Sequence, residues 1–505
     1  MTNTVLIAGA GPTGLALAVH LALRDIDVRV VDAADGPATT SRALGLQPRG
    51  VEVLERIGAL GDLPERSRSL LNMYYNEGPR TKLRLQVGRA AAALPKQALL
   101  ISQAEVEESL RQRFHELGGK VEWSMKLVGA QQHTDRVTVT LCSSGQTEQH
   151  VDTEWLIGCD GAHSTVRKIA GIGFPGQKLI ERLLMVDVRA HWPYDQNGST
   201  TWMDAGHMLS VTAMPDNMWR VFTEPPAGLP DQLSDNEISD RVLDEFSRRS
   251  GMSLDTVTEI AWASEFRIHR RLAETYRRGR ILLAGDSAHI QSPTGGQGQN
   301  TGLGDAENLA WKLTLVARGQ ADQQFLDTYE GERRPLARNV LTATSTAVDI
   351  MLPNNRWKRW VRDRLVMPLL RLSVVQRRLW LVASQLGISY RGGPLAPGSR
   401  WWGRRPRPGD RMPDLRCQRH DGTEITLHAA ISGCWVVVAA DHDEATRHAD
   451  AVAMQLGVDM VHTLVPVRTT VRDVLLIRPD GHLAWRGRPA PEKLSAWLNE
   501  VLWPV

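Results

Sequence analysis

Cysteine is scarce in this chain: four in 505 residues, each isolated, with no CxxC pair and no Cys/His spacing able to hold a metal. That excludes a disulfide scaffold, a zinc module and dithiol exchange, and it fits reduced thiols in a cytoplasm. Charge of one sign is lacking too, since 60 Lys and Arg stand against 57 Asp and Glu for a net +3. No molecule-wide field for gathering nucleic acid is expected. Long apolar runs are also missing. The best stretch, Val5 to Leu23, has no Lys or Arg before it and is broken by Gly9, Gly11, Pro12, Gly14 and His20, so it reads neither as a leader nor as a stable membrane insertion. No internal repeat or low-complexity tract is visible. What remains is a long globular chain, too large for one core and expected to hold two or three domains.

Val5-Leu6-Ile7-Ala8 is a short β-type run followed by Gly9-Ala10-Gly11-Pro12-Thr13-Gly14 and then an Ala/Leu-rich helical stretch. In such a unit the first glycine makes a tight turn, the second lets backbone approach a pyrophosphate and the third permits close helix–strand packing. The helix N-terminus then offers free N–H groups to phosphate. A second β run, from Asp27, ends at Asp32, 23 residues past Gly9, where a carboxylate can accept a hydrogen bond from an adenosine ribose. An ADP-containing cofactor is indicated, and FAD and NAD remain undistinguished at this point.

Far downstream, Arg280 to Ala284 is another apolar strand running into Gly285-Asp286-Ser287-Ala288-His289, then Pro293-Thr294-Gly295-Gly296-Gln297-Gly298-Gln299-Asn300 and a helical stretch from Gly304. A glycine-dense loop ahead of a helix is again an anion cradle. Between the two lies Trp155 to Arg167, read as strand, Asp160-Gly161 turn and helix start, with Ser164 as N-cap.

These three ordered motifs resemble the single-component FAD-dependent aromatic hydroxylases of the para-hydroxybenzoate hydroxylase type, and most nearly the branch acting on polyketides, phenols and antibiotics. The resemblance implies that Gly9, Gly11, Pro12 and Gly14 hold the FAD pyrophosphate and that Asp32 meets the ribose. It gives Arg42 to diphosphate and ribityl oxygens, Gln103 to the flavin chain, and the Leu127 backbone to adenine. Asp160 and Arg167 would position FAD, and Asp286, Pro293, Gly298, Gln299 and Asn300 would surround isoalloxazine and ribityl. With no second GxGxxG, NADPH or NADH would visit transiently. The implied reaction is reduction of FAD, addition of O2 at the flavin C4a carbon, and delivery of hydroxyl from that hydroperoxide to an electron-rich aromatic or polyketide substrate, with no side-chain nucleophile and no metal.

The expected fold is α/β: a Rossmann-like FAD-binding domain (1–173 with 273–390), an inserted antiparallel β-sheet substrate domain (174–272, joined by 72–100), a linker (391–412) and a C-terminal thioredoxin-like domain lacking CxxC (413–505). Within the substrate sheet only Tyr194 is read as a phenol near substrate, and His207 and Arg220 are read as structural. The basic amphipathic stretch 326–390 is read as packing on its own protein rather than on a membrane. Partners are a small molecule and O2, with no nucleic acid, and the chain is a monomer or homodimer. Antibiotic inactivation and Baeyer–Villiger insertion fit the same motifs. A halogenase is disfavoured because W-x-W-x-I-P is absent. The alternative of another class is a non-catalytic flavin-binding protein.

Overall fold

The computed structural model describes residues 3–39, 43–78, 80–91, 96–143, 145, 147–204, 207–225, 229–230, 232–291, 296–351, 355–398, 406–467 and 471–503. Four strands form the parallel centre of the first sheet, in the order Ile281–Leu283, Glu148–Gly158, Asn3–Ala8, Val28–Val31. Their inner stretches are almost continuously apolar, because a parallel sheet buried on both faces leaves no position of the pleat for water. The helices Pro12–Ala22 and Gly298–Ala317 pack against each other over it. The register decides where the motifs meet: Ala8 is level with Val31 and with Gly158, and Gly158 with Leu283. Since the strands run the same way, the residues after each of them emerge at one edge, where ligands bind in open α/β sheets.

The second sheet has eight strands, in the order His289–Ile290, Val257–Leu272, Gly176–Ala190, Met218–Thr223, His207–Ala213, Gly198–Asp204, Asn72–Glu77, Arg80–Leu85. Pairing is antiparallel except where Gly198–Asp204 meets Asn72–Glu77. Period-two alternation separates its faces. Leu184, Val186, Leu209, Val211, Trp219 and Val221 lie on one side, beneath Ile238, Val242 and Phe246 of the helix Asp235–Ser250. That helix begins in a capping box, Ser234 with Glu237. Fully buried Phe246 stacks on Trp192 with centroids 4.2 Å apart, and such a side chain contributes about 3 kcal/mol through burial. Tyr194 belongs to this outer aromatic cluster, edge-on to Trp202 and Trp219.

A third, six-stranded sheet built on Trp435–Val438 and Val474–Ile477 carries the helices His442–Leu456 and Pro491–Leu502. It is joined to the first unit through buried ions. Glu332 receives Lys312 Nζ at 2.8 Å and Arg478 Nη1 at 2.6 Å, while Arg49 donates to Glu307 at 2.5 Å and to the Asp480 carbonyl at 2.8 Å. Asn308 bridges Glu332 and Asp480. Charges this deep are tolerable only when every one is matched.

Candidate functional site

The first turn is built around glycine for two separable reasons. Gly9 has φ +107°, and a Cβ there would stand 2.3 Å from the Cys159 carbonyl oxygen, so the turn accepts no side chain. A Cβ on Gly14 would lie 2.0 Å from the Gly9 oxygen. Gly11 differs, because a Cβ there meets no atom within 4 Å: its requirement comes from what approaches the backbone from outside. As N-cap of the helix Pro12–Ala22 it has no capping side chain, so the first-turn amides face outward with the positive end of the helix dipole. The Ala10 N–H donates to Asp32 Oδ2 at 2.7 Å and the Ala34 N–H to Oδ1 at 2.8 Å, which fixes the carboxylate beside this turn.

The turn at Gly285 closes on the first from the other side. Gly285 has φ +64°, and Cβ atoms on Gly285 and Gly302 would stand 2.5 and 2.2 Å from Thr13 Oγ1. Thr13, inside the first motif, is thus clasped between two glycines of the second. Asp160-Gly161 is tied in as well. Ser287 Oγ donates to the Gly158 carbonyl at 2.5 Å, and Arg167 donates from Nη1 to the Ser287 carbonyl at 2.8 Å and from Nη2 to that of Ala162 at 3.0 Å. Ser164 caps the short helix, accepting the Arg167 N–H at 2.9 Å. Asp305 anchors the back of the second turn: it accepts the Gly285 N–H at 3.1 Å, meets His289 Nε2 at 2.7 Å and accepts Arg333 Nε at 2.7 Å. Burial alone would raise its carboxyl, but Arg333 and then His289 hold it below the ordinary range.

Polar groups along this edge are left over by the protein. Asp160 Oδ2 caps Thr165 and Val166, whereas its Oδ1 is buried with no hydrogen-bond partner, and the same holds for Gln299 Nε2. Asp286 is exposed at this edge, and desolvation by the surrounding protein pushes its carboxyl up, the nearby His289 lowering it and Asp305 raising it again.

Among the remaining sequence candidates, Gly298, Gln299 and Asn300 lie in the first turn of the helix Gly298–Ala317, which begins six residues earlier than the sequence pattern suggests. Asn300 spends its side chain on protein: Nδ2 donates to the carbonyls of Gly45 at 3.0 Å and Gly296 at 2.8 Å, and Oδ1 accepts the Gln47 N–H at 2.8 Å. Gln103 opens the helix Gln103–Glu116 and donates to Glu107 at 2.8 Å. Leu127 is buried in the strand Met125–Gln132, whose first residue donates to the Asp32 carbonyl at 2.8 Å. Arg42 and Pro293 lie outside the described residues.

Opposite the helix-covered face, strand register aligns a second row: Ser264, Met185, Phe222, Ser210, Thr201 and Tyr75. Two residues along stand Trp262, Asp187 and Arg220, the last two joined by a two-pronged ion pair at 2.8 and 2.7 Å. Tyr75 was missed by reading Tyr194 as the sheet's only candidate. Burial pushes its phenol up to about 12, so it is a proton donor across the working range. Tyr194 instead points into the outer aromatic cluster. Arg333 was also missed as the partner of Asp305, although a carboxylate in the helix Gly298–Ala317 signals a buried partner.

Comparison with known proteins places the chain in a family. The FAD binding domain family matches residues 2–344, and the aromatic-ring hydroxylase C-terminal family matches residues 405–503. The chain is 34% identical to 6-methylpretetramide 4-monooxygenase of Streptomyces rimosus, over 98% of this chain and 93% of that one. It is 31% identical to rifampicin monooxygenase of Streptomyces venezuelae, over 98% of both. Its fold superimposes on the anhydrotetracycline hydroxylase OxyS of Streptomyces rimosus with a TM-score of 0.80 at 29% identity, covering 99% of each chain. The chain therefore belongs to the FAD-dependent aromatic-ring hydroxylase family, and it is a flavoprotein monooxygenase.

Proposed function

We propose that the enzyme hydroxylates a polycyclic aromatic, polyketide-like substrate, taking one atom of O2 and drawing electrons from NADPH or NADH that binds transiently. The observation carrying this is the direct link between two unlike surfaces: an edge of glycine turns with unspent donors and acceptors, whose Gly285 turn runs into the strand His289–Ile290, and the sheet that this strand borders, one face of which carries aromatic, thioether and hydroxyl side chains beside a buried ion pair. Relatives named for 6-methylpretetramide, anhydrotetracycline and rifampicin support it.

In this reading Gly9, Gly11, Pro12 and Gly14 bind the FAD pyrophosphate, and Asp32, already oriented by Ala10 and Ala34, accepts from the ribose. The Leu127 backbone meets adenine and Gln103 the flavin chain. Asp160 Oδ1, Asp286 and Gln299 Nε2 supply the unmatched polar groups for ribityl and ring. Gly298 and Asn300 shape that wall, the latter by bracing Gly45 against Gly296, and Arg42 and Pro293 complete the set. FAD supplies the oxygen-activating chemistry; the chain's own part is to exclude water, orient the substrate and offer donors such as Tyr75.

We assign 1–173 with 273–390 to the flavin unit and 174–272, with the strands of 72–85, to the substrate unit. Residues 391–412 are the linker and 413–505 the C-terminal unit. The four thiols are free, which suits a reducing cytoplasm. The decisive experiment is a panel of aromatic polyketides and phenols scored for stimulated NAD(P)H oxidation and for product carrying label from 18O2. Label arriving from water instead would overturn the reading. Antibiotic inactivation uses the same chemistry, and a rifamycin in the panel separates it from biosynthesis.

A further inference from the structure

We propose that the helical segment 355–383 seats the enzyme on an anionic lipid surface. The segment comprises the helix Arg356–Val361, a wide turn over Arg362–Val366, a short helix Met367–Leu370 and the helix Ser373–Ala383. One side of it is fixed to the protein. Trp380 packs with Val87 and Ala98, Met367 packs with Leu83 and Met203, and Gln376 Oε1 accepts the Gln86 N–H at 3.0 Å.

The other side is held in place but covered by nothing among the described residues. On the helix Ser373–Ala383 the residues Val374, Arg377, Arg378, Leu381 and Val382 follow helical spacing on one outward face, Val374 being 66% and Val382 70% exposed. Before it, Trp357 is 69% and Trp360 49% exposed, their rings stacked 5.0 Å apart, and Leu365, Leu369 and Leu372 are each more than half exposed. An apolar surface of this size on a soluble enzyme marks a docking site.

Charge identifies the occupant. Over 355–383 the sequence has eight Lys and Arg against a single acid, Asp363, which Arg362 engages. Exposed Lys358, Arg359, Arg364, Arg377 and Arg378 have no acidic partner among the described residues. A second copy of the chain, meeting it through the same patch, would bring these cations onto themselves. An anionic headgroup layer neutralises them while its acyl boundary takes Trp, Leu and Val, the pattern of an interfacial helix. No helix among the described residues is long and apolar enough to cross a membrane, so the enzyme would lie on the surface. The sequence reading of this stretch as packing on its own protein describes only its inner side. The inference is independent of the substrate.

Co-sedimentation of the FAD-loaded enzyme with phosphatidylglycerol-containing vesicles tests it, against pure phosphatidylcholine vesicles. Binding is expected to the anionic vesicles at about 50 mM salt and to be lost at about 500 mM, where screening is several-fold shorter in range. Arg377→Gln with Arg378→Gln should weaken partitioning about tenfold or more. Trp357→Ala with Trp360→Ala should also weaken it, and both variants should keep their FAD and their far-UV circular dichroism. Absence of sedimentation with anionic vesicles at low salt would overturn the proposal. So would a solution dimer that the Trp variant dissociates while vesicle binding stays unchanged.

Discussion

Thr13 fills the notch that Gly302 leaves: a Cβ at residue 302 would stand 2.2 Å from the Thr13 Oγ1, though 3.5 Å from its Cβ. Two segments almost three hundred residues apart are keyed together by one hydroxyl. Gly302→Ala would ordinarily strengthen a helix by about 1 kcal/mol. Here it should destabilise by about 1–3 kcal/mol and lower bound FAD. Thr13→Ala/Gly302→Ala should regain most of both. Thermal melts and the ratio of flavin to protein absorbance decide, and a double variant as impaired as Gly302→Ala would refute the keying.

Asp286 gives a prediction in which stability and binding move oppositely. Its carboxyl is raised in the folded protein, so the folded state holds a proton more tightly than the unfolded one. That stabilisation is present at low pH and lost as pH rises through the raised value. Asp286→Asn should therefore raise the melting temperature of FAD-stripped enzyme at neutral pH, with no gain near pH 3, while weakening FAD retention. Equal retention of stoichiometric FAD by the variant would place the ribityl contact elsewhere.

Tyr75 is expected to donate a hydrogen bond to substrate and not to act as a base, since its phenol is pushed to about 12. Tyr75→Phe should raise KM by about 3- to 30-fold, the cost of one lost hydrogen bond. It should leave FAD content and the alkaline limb of the rate profile intact. Disappearance of that limb would make Tyr75 the base after all.

The seam beneath the C-terminal unit should be acid-labile. His428, whose Nε2–H donates to the Met412 carbonyl at 2.9 Å, is lowered to about 3, by burial first and Arg56 next. A lowered imidazole means that the unfolded state takes up the proton first. Stability then falls by up to about 1.4 kcal/mol per unit as pH drops from 6.5 toward 3. Glu52, lowered to about 2 by Arg411 and Arg49 against the upward pull of burial, adds a second loss below about 4.5. Calorimetry from pH 8 to 4 should show the decline, and His428→Gln should flatten its upper part.

Glu332 is the most exacting position of the same seam, held at about 2 by Arg478 and Lys312 although burial opposes it. Glu332→Gln should cost about 3–5 kcal/mol in denaturant unfolding, because it leaves buried Lys312 and Arg478 short of an anion. A loss under about 1 kcal/mol would mean the cations find other partners.

Features carried by neighbouring residues were legible in the sequence. The glycine spacing of 9–14, the acid at 32 and the Ser164 cap each follow from local turn and helix chemistry, and the fold class from the alternation of patterns. What escaped depends on long-range pairing. Tyr75 lines up with Thr201 and Ser210 because Asn72–Glu77 joins Gly198–Asp204 as a parallel neighbour, and no periodicity announces which strand a segment will choose. Asp480 lies in a tight turn. Its burial against Arg478, and the acceptance of Arg49 by the Asp480 carbonyl, emerge only when elements over four hundred residues apart are packed. The resemblance gives Asn300 a place beside isoalloxazine and ribityl, and its side-chain bonds to Gly45 and Gln47, more than 250 residues away, are a further product of long-range packing.

The ion seam also bears on how such a chain could be shortened. Arg49, Asn308, Lys312 and Glu332 belong to the nucleotide-binding unit, yet their partners include Arg478 and Asp480. Cutting the gene before residue 413 would strip counter-ions from the underside of the helix Gly298–Ala317, so a minimal, two-layer version of this enzyme would need that helix's inner surface rewritten in apolar residues before it could stand alone.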